Sequence, residues 1–161
     1  MRILLIHGPN LNLLGKRSPE IYGDKTLADL EYLVVKQAKE QGVDVVAFQS
    51  NSEGALIDFI QAEAPKASGI IINPGALTHY GLSLLDALMD TDLPVVEVHL
   101  SDINAREKWR RKSVIKPIAQ KQISGQGWQG YIEAVDALHG QGERAAQGPG
   151  DALPMTTTLP A

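Results

Sequence analysis

An arginine and a tyrosine five positions apart, Arg17 and Tyr22, stand inside a polar stretch that runs from Asn10 to Gly23. A phenol with an ordinary pKa of about 10 is a poor base at neutral pH. A cation within roughly 4–6 Å favours the phenolate and can turn it into a base. Much further along, Glu97-Val98-His99 sets a carboxylate and an imidazole two positions apart. In a strand the two share a face. A carboxylate there favours the charged imidazole and fixes its tautomer, which suits a general acid. Arg106 and Arg110 are spaced to face one anion together if they share a helix. Taken singly, Arg17 and Tyr22 read more readily as an ordinary polar loop and Arg106 with Arg110 as a solvated helix face, while Glu97 and His99 fit equally well a surface ion pair or a capped core histidine. His79 alone is equally well an ordinary loop histidine. What decides between these readings is whether the fold brings the residues to one place.

The elements that would do so alternate along the chain. Strands are expected at Ile3–Ile6, Val43–Phe48, Gly69–Ile72, Pro94–Val98 and Gln122–Ser124, and three of them are nearly unbroken in Val, Ile and Leu. Such runs suit strands covered on both faces. Thr26-x-x-Asp29 reads as a capping box for a helix carrying Leu27, Leu30, Val34 and Ala38, closed by Gly42. Ser50-x-x-Glu53 reads the same way for a second helix with Leu56, Ile57 and Ile60, stopped at Pro65. Three more are expected from Gly81 to Asp90, from Ala105 to Arg111, and from Gly127 through Leu138. Five βα units in series predict an α/β three-layer sandwich with a five-stranded parallel sheet. The expected order is 2-1-3-4-5, the flavodoxin-like arrangement. Ligands bind outside the carboxyl ends of such strands. There the sequence delivers His7, Asn10, Arg17 and Tyr22 after strand one, then Gln49, Ser50 and Asn51 after strand two. Asn73 to His79 follow strand three; Glu97, His99, Ser101, Arg106 and Arg110 belong to strand four and its sequel. The stretch from Asn10 to Gly23 is far longer than the roughly 2–6 residues of an ordinary strand-to-helix connection, so it reads as a binding loop.

With 161 residues, 43% of them apolar, the chain is one domain able to bury a core. Residues 1–140 form that domain, and 141–161, rich in Gly and Pro, read as a disordered tail. A formal charge of −4 argues against nucleic-acid or membrane-surface partners. The absence of cysteine removes disulfides, thiolate metal sites and a cysteine nucleophile. The N-terminus is too short for a signal peptide and no apolar run is long enough to span a membrane, so a soluble, cytoplasmic protein is expected. No His or carboxylate spacing supports a metal site. Gly8-Pro9-Asn10 lacks the pattern of a phosphate loop, and there is no Gly-x-Ser-x-Gly elbow.

Taken together, several stretches resemble type II 3-dehydroquinate dehydratase, in the family's order over about residues 2–138. They are Ile6-His7-Gly8-Pro9-Asn10-Leu11-Asn12-Leu13-Leu14-Gly15 with Arg17 and Tyr22-Gly23, and Gln49-Ser50-Asn51-Ser52-Glu53-Gly54. Next come Ile72-Asn73-Pro74-Gly75-Ala76-Leu77-Thr78-His79 and Glu97-Val98-His99-Leu100-Ser101, then Ala105-Arg106-Glu107, Arg110-Arg111 and Gly130-Tyr131. The resemblance implies a lyase of the shikimate or quinate pathway, used in aromatic amino acid biosynthesis. It would remove water from 3-dehydroquinate by anti elimination through an enolate, without metal or organic cofactor. It implies Tyr22 as the general base, Arg17 as the cation beside it, and Asn10 as the holder of a water near the enolate oxygen. His99 is implied as the general acid, with Glu97 as its partner. Asn73, His79 and Arg110 would bind substrate hydroxyls, Leu100 and Ser101 the carboxylate, and Arg106 would be a supporting cation near the lid. Asp86 would reach a neighbouring subunit's site in a homododecamer, a tetramer of trimers.

Two positions depart from the family's habit. Asp102 stands where an asparagine is usual, and its charge is expected to weaken carboxylate binding. Trp128 stands where smaller residues are common, and is expected to bear on subunit packing.

Overall fold

Unbroken runs of aliphatic residues form the middle of the sheet. A computed structural model describes residues 1–146, the last four by backbone alone. Strands β1 (Arg2–His7), β2 (Asp44–Gln49), β3 (Gly69–Asn73), β4 (Val95–His99) and β5 (Lys121–Ser124) are all parallel, in the order β2-β1-β3-β4-β5. Every residue of β3 and β4 is buried. The helices are α1 (Pro19–Tyr22), α2 (Leu27–Glu40), α3 (Glu53–Glu63), α4 (Leu82–Met89) and α5 (Gln129–Ala146). Alternation in β1 divides the core. Ile3 and Leu5 pack with α2 and α5, whereas Leu4 and Ile6 pack with α3 and α4. The result is the three-layer flavodoxin-like sandwich expected from the sequence.

Local chemistry explains most boundaries. The Thr26 hydroxyl accepts from the Asp29 N–H at 3.1 Å and the Asp29 carboxylate accepts from the Thr26 N–H at 2.9 Å, so the capping box exists. Gly42 ends α2 in the left-handed region, φ 70°. The second box does not form as expected. Ser52, not Ser50, caps α3, by accepting from the Ala55 N–H at 3.3 Å. Glu53 is then the first helical residue, too close to reach back, and its carboxylate instead accepts the Leu84 N–H near the start of α4 at 3.1 Å. Unpaired first-turn donors of a helix need such partners.

The expected helix from Ala105 to Arg111 is absent. Two short 3-10 turns, Ile103–Ala105 and Lys108–Arg110, flank an extended Arg106 and Glu107. The segment carries six charges and an exposed Trp109 over Arg106–Lys112, with no apolar stripe to hold a helix on the core. At the C-terminus α5 runs on past the expected boundary to Ala146; the rest of the expected tail, 147–161, lies outside the described residues. Among the described residues no helix is long and apolar enough to cross a membrane.

Candidate active site

The buried polar side chains of the described residues are His7, Asn73, Thr78, Glu97 and His99. They stand at, or just beyond, the carboxyl ends of β1, β3 and β4. Above them opens a cleft lined by Asn10, Arg17, Tyr22, Asn73, His79, His99, Leu100, Ser101, Arg106 and Arg110, together with Pro9, Leu11, Gly75, Ala76 and Ile103. The fold thus gathers ten of the twelve residues singled out in the sequence. Glu97 lies behind the wall, in contact with His99. Asp86 does not line the cleft; it is exposed on α4.

The long loop after β1 is built rather than slack. It holds a 3-10 turn at Leu11–Leu13 and the short α1. Asn10 adopts φ 70°, a left-handed conformation that asparagine tolerates better than most residues. Its N–H donates to Asn51 Oδ1 at 2.8 Å, and Gln49 Nε2 reaches the Gly8 carbonyl at 3.3 Å. The rim of β2 therefore braces the base of the loop. At its far end the Tyr22 hydroxyl accepts a hydrogen bond from Arg106 Nη1 at 3.0 Å. The Arg17 guanidinium lies 5.0 Å from the centre of the Tyr22 ring and that of Arg106 lies 5.8 Å from it. The sequence pointed to Arg17 as the cation beside Tyr22. The structure supplies two cations, and the one touching the oxygen is Arg106.

Glu97 is completely buried, and four side chains converge on it. His99 Nε2 donates to Oε1 at 2.7 Å, Gln122 Nε2 donates to Oε2 at 2.8 Å, and the Ser113 hydroxyl stands 2.9 Å from both oxygens. The Thr78 hydroxyl also contacts Oε1. Burial pushes the Glu97 carboxyl up, but the hydrogen bond and charge of His99, with the bonds from Thr78 and Ser113, outweigh it and hold the group below the usual carboxylate range. An ionised Glu97 accepting from Nε2 leaves Nδ1 of His99 for the cleft. His79 is fixed in a similar way. Its Nδ1 lies 2.6 Å from the Lys112 carbonyl, which can only accept, so Nε2 is left for a ligand.

Arg106 and Arg110 converge without a shared helix. The Glu107 carboxylate sits 3.7 Å from Arg106 Nε and 3.1 Å from Arg110 Nε, and Trp109 stacks under the Arg110 guanidinium at 4.0 Å. Asp102 does not point into the cleft. Its carboxylate caps the turn that follows, accepting from the Asn104 N–H at 2.9 Å. Trp128 is half-buried against the core on the α2–α5 side. Sequence reasoning missed the roles of Thr78, Ser113 and Gln122. Only Gln122 left a signal, since it pairs with Glu97 in the β4–β5 register. No group of acidic or histidine side chains among the described residues is arranged to hold a metal ion.

The sequence profile of the class II dehydroquinases matches residues 1–139. A 3-dehydroquinate dehydratase of Roseiflexus castenholzii is 55% identical over 150 residues, spanning 93% of this chain and 94% of the relative. One of Herpetosiphon aurantiacus is 54% identical over 136 residues, spanning 84% and 94%. The crystal structure of a type II dehydroquinase from Butyrivibrio crossotus superposes with a TM-score of 0.84 at 45% identity, covering 86% of this chain and 97% of that one.

Proposed function

This chain belongs to the class II dehydroquinase family, and we propose that its cleft removes water from 3-dehydroquinate to give 3-dehydroshikimate by the following steps. Tyr22, as phenolate, takes the proton from C2. The C–H electrons form an enolate across C2 and C3. They then return to make the C1–C2 double bond as the C1 hydroxyl leaves, protonated by Nδ1 of His99, as water. The proton and the hydroxyl depart from opposite faces, so base and acid must be different groups.

The observation that carries this reading is the pair of guanidinium groups on Tyr22. Arg106 Nη1 is 3.0 Å from its oxygen and Arg17 lies over its ring, so positive charge stands where the base must carry negative charge. Asn10, at the cleft edge, fits the part of holding a water beside the enolate oxygen. Glu97 keeps His99 oriented. Asn73, His79 and Arg110 suit the ring hydroxyls, and Leu100 with Ser101 suits the carboxylate. No step calls for a metal or an organic cofactor.

We also propose that the active form is a homododecamer, a tetramer of trimers, in which Asp86 approaches a neighbour's cleft. Asp86 shares an exposed face of α4 with Leu82 and Met89, which are 62% and 52% exposed. Apolar side chains exposed on one face support its use as a subunit contact.

Ultraviolet absorbance of the conjugated enone tests the reaction. Wild type should produce it from 3-dehydroquinate, and Tyr22→Phe should lose more than nine-tenths of the rate while still binding substrate, since general base catalysis contributes about 10²–10⁴-fold. A folded wild type that produces no enone rejects the reading.

A further inference from the structure

Behind Asn73, on the side away from the cleft, stands Tyr131 of α5. It is completely buried. Asn73 Nδ2 donates to its hydroxyl oxygen at 2.8 Å. On the other side of the amide the Gly75 backbone N–H donates to Asn73 Oδ1 at 3.1 Å. A backbone N–H can only donate, so the amide oxygen must face Gly75 and the amide nitrogen must face Tyr131.

The phenol suits that part. Burial pushes its pKa far up, the Asn73 hydrogen bond opposes part of this, and the charge of Glu31 adds to the rise. Tyr131 therefore stays a neutral hydroxyl with a lone pair to offer. His7 braces the ring from β1, with centroids 5.8 Å apart and planes tilted by 40°. Burial pushes the His7 imidazole down to about 3, so it too is neutral and brings no charge to the amide.

We propose that Tyr131 is a positioning residue that locks the Asn73 amide in one orientation, so that Asn73 presents an N–H to the cleft. An amide nitrogen has two protons. Tyr131 takes one, and the second remains for a ligand. The turn that follows Asn73 offers the same cleft His79 Nε2, an acceptor when the ring is neutral. A donor and an acceptor six residues apart fit a hydroxyl, which accepts from one and donates to the other. A carbonyl at that place can use only the donor. The inference rests on Asn73 as a substrate ligand and adds the residue that makes it selective.

Kinetics and crystallography together test it. Tyr131→Phe keeps the ring and removes only the hydroxyl. It should raise KM for 3-dehydroquinate roughly five- to tenfold, the worth of one hydrogen bond, and leave kcat within about twofold. In an Asn73→Ala background it should add nothing, because it acts through Asn73. A merely structural role would give the same rise in both backgrounds. That additive result, or an unchanged KM, overturns the proposal. The crystal structure of Tyr131→Phe should show the Asn73 amide turned away from its place against Gly75. If wild type proved inactive on 3-dehydroquinate, the proposed reaction would fall, and the crystal structure alone would decide: an unmoved amide overturns the inference. If Tyr131→Phe did not fold, a neutron structure of wild type would decide. A deuteron on Asn73 Nδ2 directed at the Tyr131 oxygen supports the lock, and a tyrosine deuteron directed at the amide overturns it.

Discussion

Replacing Glu97 with glutamine removes a charge and almost nothing else. The side chain keeps its shape, its carbonyl can still accept from His99 Nε2, and the new NH2 falls opposite Gln122, whose own amide can turn to offer oxygen. The fold should therefore survive. What is lost is the carboxylate 2.7 Å from an imidazole that must carry a proton. A hydrogen bond to a charged group is worth about 1.5–3 kcal/mol against about 1 for a neutral one. The Coulomb term between unit charges near 4 Å is about 4 kcal/mol at an effective dielectric of 20. Most of these terms overlap, so the barrier should rise by about 2–4 kcal/mol. At 1.36 kcal/mol per factor of ten, that is a loss of roughly 30- to 1,000-fold in kcat. KM should change little, because Glu97 does not line the cleft. Initial rates of enone formation at pH 7, with thermal unfolding as the control, measure both. If Glu97→Gln unfolds at the wild-type temperature and kcat falls less than about threefold, the carboxylate is not supporting an acid at His99.

Other perturbations reach different parts of the reasoning. Arg106→Ala should cost at least as much kcat as Arg17→Ala, because Arg106 makes the contact to the Tyr22 oxygen; the reverse order in steady-state rates would return the leading part to Arg17. Borohydride added with substrate should leave the mass of the protein unchanged, and a lysine adduct in the mass spectrum would replace the enolate route with a Schiff base. The folded His7 imidazole is held at about 3 against 6.5 when unfolded, so the unfolded chain binds the extra proton and stability falls as pH drops through that window. From 6.5 to pH 5 this amounts to about 2 kcal/mol at 1.36 kcal/mol per pH unit; Glu31, raised by burial and 3.4 Å away, reduces it. Urea unfolding at pH 7 and pH 5 should show that loss in wild type and much less of it in His7→Asn; equal losses would refute it. Asp86→Ala should lose activity while light scattering still reports the full assembly, whereas a monomeric wild type would remove the shared site.

The sheet was legible because buried parallel strands need unbroken aliphatic runs and little else does. The two caps show where that reading stops. Thr26 and Asp29 satisfy each other within one turn of chain, so spacing sufficed. Ser50 and Glu53 have the same spacing, but Glu53 is drawn to the first turn of α4, a partner 31 positions away that no local pattern reveals. The lost helix around Arg106 has a different cause, the lack of an apolar stripe to hold one on the core. Helical spacing predicts that the two arginines converge, and they do, on the Glu107 carboxylate between them and without a helix. Strand alternation correctly paired Glu97 with His99. The cage around Glu97 needs Thr78, Ser113 and Gln122 from three other segments, and only the sheet register could have suggested one of them.

Gly8 and Gly75 face each other's loops at the base of the cleft. A Cβ on Gly8 would stand 2.3 Å from the Pro74 carbonyl oxygen, and one on Gly75, at φ 58°, would stand 3.0 Å from that of Pro9. No side chain fits at either place without parting the two backbones. The loop that carries Tyr22 and the loop that carries His79 are therefore interlocked at their roots. Mutational drift is channelled accordingly. Changes between Gly15 and Gly23 can retune the reach of Arg17 and Tyr22 while the floor of the cleft stays in register. A single methyl at residue 8 would instead shift donors on both walls together, so selection for a new substrate should find its variants at the tip and leave the root untouched.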